Sequence, residues 1–175
     1  MQPATCSADG GLAAAVDVHY PATGGARAAA VLAASATFSP ILAERVVAVD
    51  AVVPYQPGAF YLRELPALRT VLAGQEDLRL VVVDGYADLD SHGRPGLGAR
   101  LHAELGIPVI GVAKSAYRTA THAIPVLRGT SSRPLFVTAA GMSRDDAAGL
   151  VRHMAGSCRL PDALRRADAL ARRPG

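Results

Sequence analysis

LRLVVVDG, residues 78–85, is an apolar run broken only by Arg79 and ended by Asp84-Gly85. A strand patterned this way is buried on both faces, so it belongs in the middle of a sheet with helices on either side. PVIGVAK (108–114) has the same character. Between the two lie a polar, glycine-rich loop, YADLDSHGRPG (86–96), and a short helix from about Leu97 to Leu105 that Gly106 ends. Two buried strands separated by a helix set the class as α/β.

Toward the N-terminus there are three further strand signals: GLAAAVDVHY (11–20), ARAAAVLAA (26–34) and ERVVAVDAVV (44–53). The first two are joined by PATGG (21–25), which reads as a hairpin, and the next loop contains Pro40, so the three form an antiparallel meander. Apolar residues at helical spacing (Phe60, Leu65, Leu68, Val71, Leu72) predict a helix over 60–73, with Pro66 either in its first turn or at a bend. Toward the C-terminus, HAIPVLRG (122–129) and RPLFVTAA (133–140) read as two more strands, the first weakened by Pro125. Ser143 is placed to cap a helix carrying Asp145 and Asp146 in its first turn, and a last helix runs from about Pro161 to Arg172. Three antiparallel strands, then helix, strand, helix and strand, predict a ribonuclease H-like mixed sheet flanked by helices, in a single domain spanning residues 1–175.

The chain has 175 residues, half of them hydrophobic, and no tryptophan, so the core is built from Val, Leu, Ile and Ala. No stretch is apolar for the roughly 18 residues a membrane span needs, and MQPATCSADG lacks the basic and apolar regions of a secretory signal. The expectation is a cytoplasmic protein with no membrane partner. Cys6 and Cys158 have no metal-ligand spacing and read as incidental thiols. A net charge of +3 permits an anionic partner. The arginines at 152, 159, 165, 166, 172 and 173 form either a solvated helix face or a phosphate contact.

Two acids stand inside apolar strands: Asp17 and Asp84. A carboxylate withdrawn from water is costly unless it is paired or binds a cation. If the two strands are neighbours, both carboxylates converge on one divalent ion, and a sparse oxygen site suits Mg²⁺, with Glu64 as a third oxygen donor. Each has a plainer reading as well: Asp84 as a turn residue, Asp17 paired with Arg27, and Glu64 paired with Arg63.

The motifs VDVHY (16–20), PYQPGAFYLRELPAL (54–68), LVVVDGY (80–86) and IPVIGVAKS (107–115), followed by PVLRG, PLFVTAAGMS and CRLPDALRRADALA, resemble the endonuclease V family in order and approximate spacing. The resemblance implies a metal-dependent endonuclease that acts on nucleic acid containing deaminated adenine (inosine). The cut would be a hydrolysis on the 3′ side of the lesion, one bond removed from it, with no covalent enzyme intermediate. It assigns catalysis to Asp17, Glu64, Asp84 and Lys114, with Mg²⁺ (or Mn²⁺) held by Asp17, Asp84 and Glu64. Tyr55, held by Pro54 and Pro57, becomes a wedge that stacks on bases, and Gly58, Phe60 and Gly85 surround the base pocket. The implied partner is inosine-containing DNA or RNA, single-stranded or a nicked duplex, and the implied state is a monomer. The alternative is a module of the same fold that binds nucleic acid and cuts weakly.

Three departures from the family pattern stand out. AAGMSRDD (139–146) places Gly141 or Met142 where the pattern has a histidine expected near the metal, leaving Asp145 or Asp146 either to replace it or simply to cap the helix. SHGRPGLGARLH (91–102) keeps His92, Arg94 and His102 in an altered frame. An N-terminal extension and the section after Lys114 are shorter than usual.

Overall fold

Among the described residues seven strands, β1 (Leu12–His19), β2 (Ala26–Ala33), β3 (Ile41–Val49), β4 (Leu78–Asp84), β5 (Val109–Ala113), β6 (Ile124–Val126) and β7 (Leu135–Ala140), form one sheet in the order β3-β2-β1-β4-β5-β7-β6. Four helices among the same residues cover it: α1 (Tyr61–Leu72), α2 (Leu97–Leu105), α3 (Arg144–His153) and α4 (Asp162–Arg172). The computed structural model describes residues 11–174, so the expectation for Cys6 lies outside the described residues. β1 to β3 are the antiparallel meander, β1, β4 and β5 run parallel, and β7 pairs antiparallel with β5 and β6. This is the ribonuclease H-like mixed sheet that the order of elements predicts.

The period-two alternation of the strands divides the core into two layers. Ala13 and Ala15 of β1 and Val82 of β4 face α3 and α4, where they meet Val151, Leu164 and Ala167. Ala14, Val16, Val81 and Val83 face the other way, against Leu68 and Val71 of α1 and Leu101 of α2. Small strand residues opposite large helical ones fill the space between layers at close packing. The same alternation puts Asp17 and Asp84 on the α4 side, in line with Ala15 and Val82.

Two elements differ from the sequence expectation. β3 ends at Val49 rather than Val53, because β2 begins at Ala26, which pairs with Val49, and residues 50–53 have no strand beside them. Pro66 falls beyond the first turn of α1, inside the helix, so the bend-or-first-turn choice resolves to an interior proline. β6 tolerates Pro125 because it is the edge strand, where a missing N–H breaks no ladder.

Candidate active site

β1, β4 and β5 are parallel, so their C-terminal ends meet on one edge of the sheet, and each brings a charged residue there: Asp17, Asp84 and Lys114. Glu64 reaches the same edge from the first turn of α1. A cleft of about 10 Å³, room for roughly one water-sized sphere, opens between Asp17, Glu64 and Asp84 over the side chains of Leu68 and Leu97. The three acids expected to share a site therefore do share one. Lys114 Nζ lies 2.5 Å from Asp84 Oδ2.

The plainer pairings give way. Arg27 donates through Nε to the carbonyl of Ala171 at 3.3 Å, and Arg63 packs its guanidinium 4.3 Å over the ring of Tyr20.

A fourth carboxylate belongs to the cluster. The Asp17 side chain hydrogen-bonds Asp168 of α4, and Arg172 Nε donates to Asp168 Oδ1 at 2.6 Å. The sequence carried a signal for it: Leu164, Ala167 and Ala171 are buried at helical spacing, and Asp168 occupies the fourth position of that stripe. An acid on an apolar face raises the same question in a helix as in a strand.

Burial is the main cause that moves these acids. It raises Asp17 to about 7, helped by the hydrogen bond with Asp168 and by the charge of Asp84, against the hydrogen bond from the Val18 backbone. Burial and the charges of Asp17 and Asp84 raise Glu64 to about 8, with Arg63 opposing. Burial works against the charged form of Asp168 too, but Arg172 and the hydrogen bond from Asp17 outweigh it and lower its pKa. For Lys114 burial favours the neutral amine, and the contact with Asp84 overcomes it and raises the pKa. Burial and like charges side by side both favour the neutral form of a carboxyl. All the donors are oxygens, which fits a hard divalent cation and excludes a thiolate or imidazole zinc site. Among the described residues no three His, Cys, Asp or Glu side chains form a ready-made metal cluster, so seating an ion here requires the side chains to close in.

Beside the acids lies a larger pocket of about 330 Å³ that shares Glu64 and Asp84 with the cleft. Gly58, Phe60 and Gly85 line it, as expected. Tyr86 and Tyr117, which the sequence reading passed over, also line it, with ring centroids 5.8 Å apart. Tyr86 donates its hydroxyl to the Ser115 carbonyl at 2.7 Å and accepts from the Tyr117 N–H at 2.9 Å. Tyr55 stands outside this lining at 60% exposure, edge-on to Phe60 at 6.3 Å, and Pro57 is exposed in the same turn.

The position of the missing histidine is corrected by topology. β7 runs antiparallel to β5, with Ala113 opposite Phe136 and Val109 opposite Ala140. Gly141 and Met142 therefore follow the end of β7 that lies away from Asp84 and Lys114. Gly141 touches the ring of His102, and Met142 packs on the core layer under α3 and α4. Asp145 and Asp146 sit at that far end as well, in the first turn of α3, where Ser143 caps the helix by accepting from the Asp146 N–H at 3.1 Å and donating to Asp146 Oδ2 at 2.7 Å, so they do not join the acidic cluster. His102 bonds the Ile107 carbonyl at 2.7 Å, while Arg94 pairs with Asp90 at 3.4 Å in the loop beside the pocket.

The arginine-rich C-terminus is largely engaged within the chain. Arg159 bonds backbone carbonyls, Arg165 pairs with Asp162, Arg166 with Glu44, and Arg172 with Asp168.

The family model for Endonuclease V matches residues 4–169. Endonuclease V of Azotobacter vinelandii is 37% identical over 94% of this chain and 84% of its own length. That of Streptomyces coelicolor is 36% identical over 90% and 76%. The crystal structure of Endonuclease V from Streptomyces avermitilis superposes with a TM-score of 0.74 at 30% identity, covering 93% of this chain and 80% of that one. Endonuclease V of Ciona intestinalis, in complex with a 23mer DNA containing an inosine followed by a ribo-adenosine, shares the fold with a TM-score of 0.77 at 19% identity, covering 94% and 85%. With its motifs, its sheet and its relatives in agreement over nearly the whole length, the chain belongs to the endonuclease V family.

Proposed function

We propose that the chain is a Mg²⁺-dependent endonuclease that hydrolyses a phosphodiester near inosine in DNA or RNA. One observation carries this reading: the acidic cleft and the 330 Å³ pocket share Glu64 and Asp84, so a base seated in one places its backbone at the other. Asp17, Asp84 and Asp168 would hold the cation, with Glu64 beside it. A bound divalent ion supplies Lewis acidity at a phosphoryl oxygen and lowers the pKa of water. Glu64, with its raised pKa, keeps or releases a proton near neutrality at the mouth of the pocket. Lys114, beside Asp84, would offer its ammonium to a phosphate oxygen. Tyr55 stacks where an extruded base leaves a gap, an interaction worth roughly 1–3 kcal/mol.

The deciding experiment uses single-stranded oligonucleotides with and without one inosine, in Mg²⁺ or EDTA. Nicking confined to the inosine strand, dependent on Mg²⁺ and reduced at least about 100-fold in Asp84→Ala, is the expected result. Tight binding without nicking, weakened in Tyr55→Ala, would replace this reading with a binding module. Indifference to inosine would remove both.

A further inference from the structure

Lys114 is the only lysine in the chain, against 17 arginines, and it follows directly after the last residue of β5. The ladder to β7 stops at Ala113, so among the described residues no strand pairing holds the peptide of the lysine itself. Arg159 does. Its Nη2 donates to the Lys114 carbonyl at 2.5 Å and to the Pro134 carbonyl at 2.6 Å, tying the end of β5 to the start of β7. Arg159 in turn lies on a loop that Arg128 organises. That arginine is 6% exposed and donates to the carbonyls of Met154, Gly156, Cys158 and Arg159, four acceptors within residues 154–159. Gly129 lets the loop approach, since a Cβ there would stand 2.1 Å from the Ser157 carbonyl.

We propose that Arg159, held by the Arg128-bound loop, is a positioning residue that sets the backbone of Lys114 and thereby keeps its ammonium on the acidic cluster. A guanidinium suits the task because its terminal Nη2 carries two N–H donors fixed in one plane, one for each carbonyl, whereas the rotating ammonium of a lysine is a point charge. The role is carried through the Lys114 backbone and involves no contact with nucleic acid. It rests on the function proposed above for its kinetic consequence and on geometry alone for its structural one.

The test has two arms. In the cation-free chain labelled with ¹³C-lysine, Lys114 gives the single lysine signal. Held against Asp84, its two Hε protons should be inequivalent. Arg159→Met should merge them, as the control Asp84→Asn should, while the circular dichroism stays that of the wild type. If Arg159→Met does not fold, Arg159→Gln carries the same readout. In the kinetic arm, Arg159→Met should lower kcat on the inosine strand about 10- to 100-fold, in the range a displaced catalytic group costs, with KM little changed. In a Lys114→Ala background the same substitution should cost less than about twofold, because residues acting as one unit are not additive. An unchanged Lys114 signal in Arg159→Met overturns the proposal, as does a full kcat loss that persists without Lys114, or an effect on KM alone. If the wild type does not cut, the proposed function fails while the lysine signal still decides the role of Arg159.

Discussion

Asp17 and Asp168 show how one half-buried carboxyl depends on its neighbours. Burial raises the pKa of Asp17, and its hydrogen bond with Asp168 adds to the rise, while Asp168, paired with Arg172, is shifted down. An acid whose folded pKa exceeds its unfolded value binds protons more tightly when folded, so it costs stability as pH rises between the two. For Asp17 the window runs from 3.8 to about 7, and for Glu64 from 4.5 to about 8. Asp168 is shifted down and acts only below that window. Without divalent cations the melting temperature should therefore fall as pH rises through this range. Asp17→Asn should flatten the decline by a few degrees, since about 1 kcal/mol moves a chain of this size by roughly 2–4 °C. A melting profile for Asp17→Asn that keeps the wild-type slope would refute the assignment.

At the scale of elements, the site is made by strand ends and by two helices that reach over them from opposite faces. α1 contributes Glu64 from one side and α4 contributes Asp168 from the other. The position of α4 depends on the loop that precedes it, which is pressed against Gly129 at φ +59° and bound by Arg128. Gly129→Ala forces a left-handed residue and a clash with the Ser157 carbonyl together. It should destabilise the chain by about 2–4 kcal/mol, the range for backbone strain combined with overpacking, measured by urea denaturation. A loss below about 0.5 kcal/mol would mean that the loop is not held there.

For the whole molecule, one edge of the sheet collects four carboxyls facing one ammonium, and a bound cation would offset their mutual repulsion. Because an ion that binds only the folded state stabilises it by mass action, Mg²⁺ at about 100 times its Kd should add roughly 2.7 kcal/mol. Calorimetry at rising Mg²⁺ and pH 8 should show the melting temperature climb, with the gain abolished in Asp84→Ala. Equal gains in wild type and variant would place the ion elsewhere. No helix among the described residues is long and apolar enough to cross a membrane.

Much of this was legible in the chain itself. The apolar run before Asp84, the alternation around Asp17 and the hairpin at PATGG encode strand identity and facing, because burial patterns are local and repeat with the period of the backbone. The motif from Pro54 to Leu68 put Tyr55, Phe60 and Glu64 into one segment through its resemblance to the family, not through any period. Which strand ends coincide is another matter. Parallel pairing brings Asp17, Asp84 and Lys114 together, while the antiparallel return of β7 carries Gly141, Met142 and Asp146 to the far end, and neither follows from spacing along the chain. Asp168 and Arg159 find their partners across 151 and 45 residues of sequence, through packing of α4 and its loop on the sheet. Contacts of that range are settled by the packing of whole layers, so only the tertiary structure could decide them.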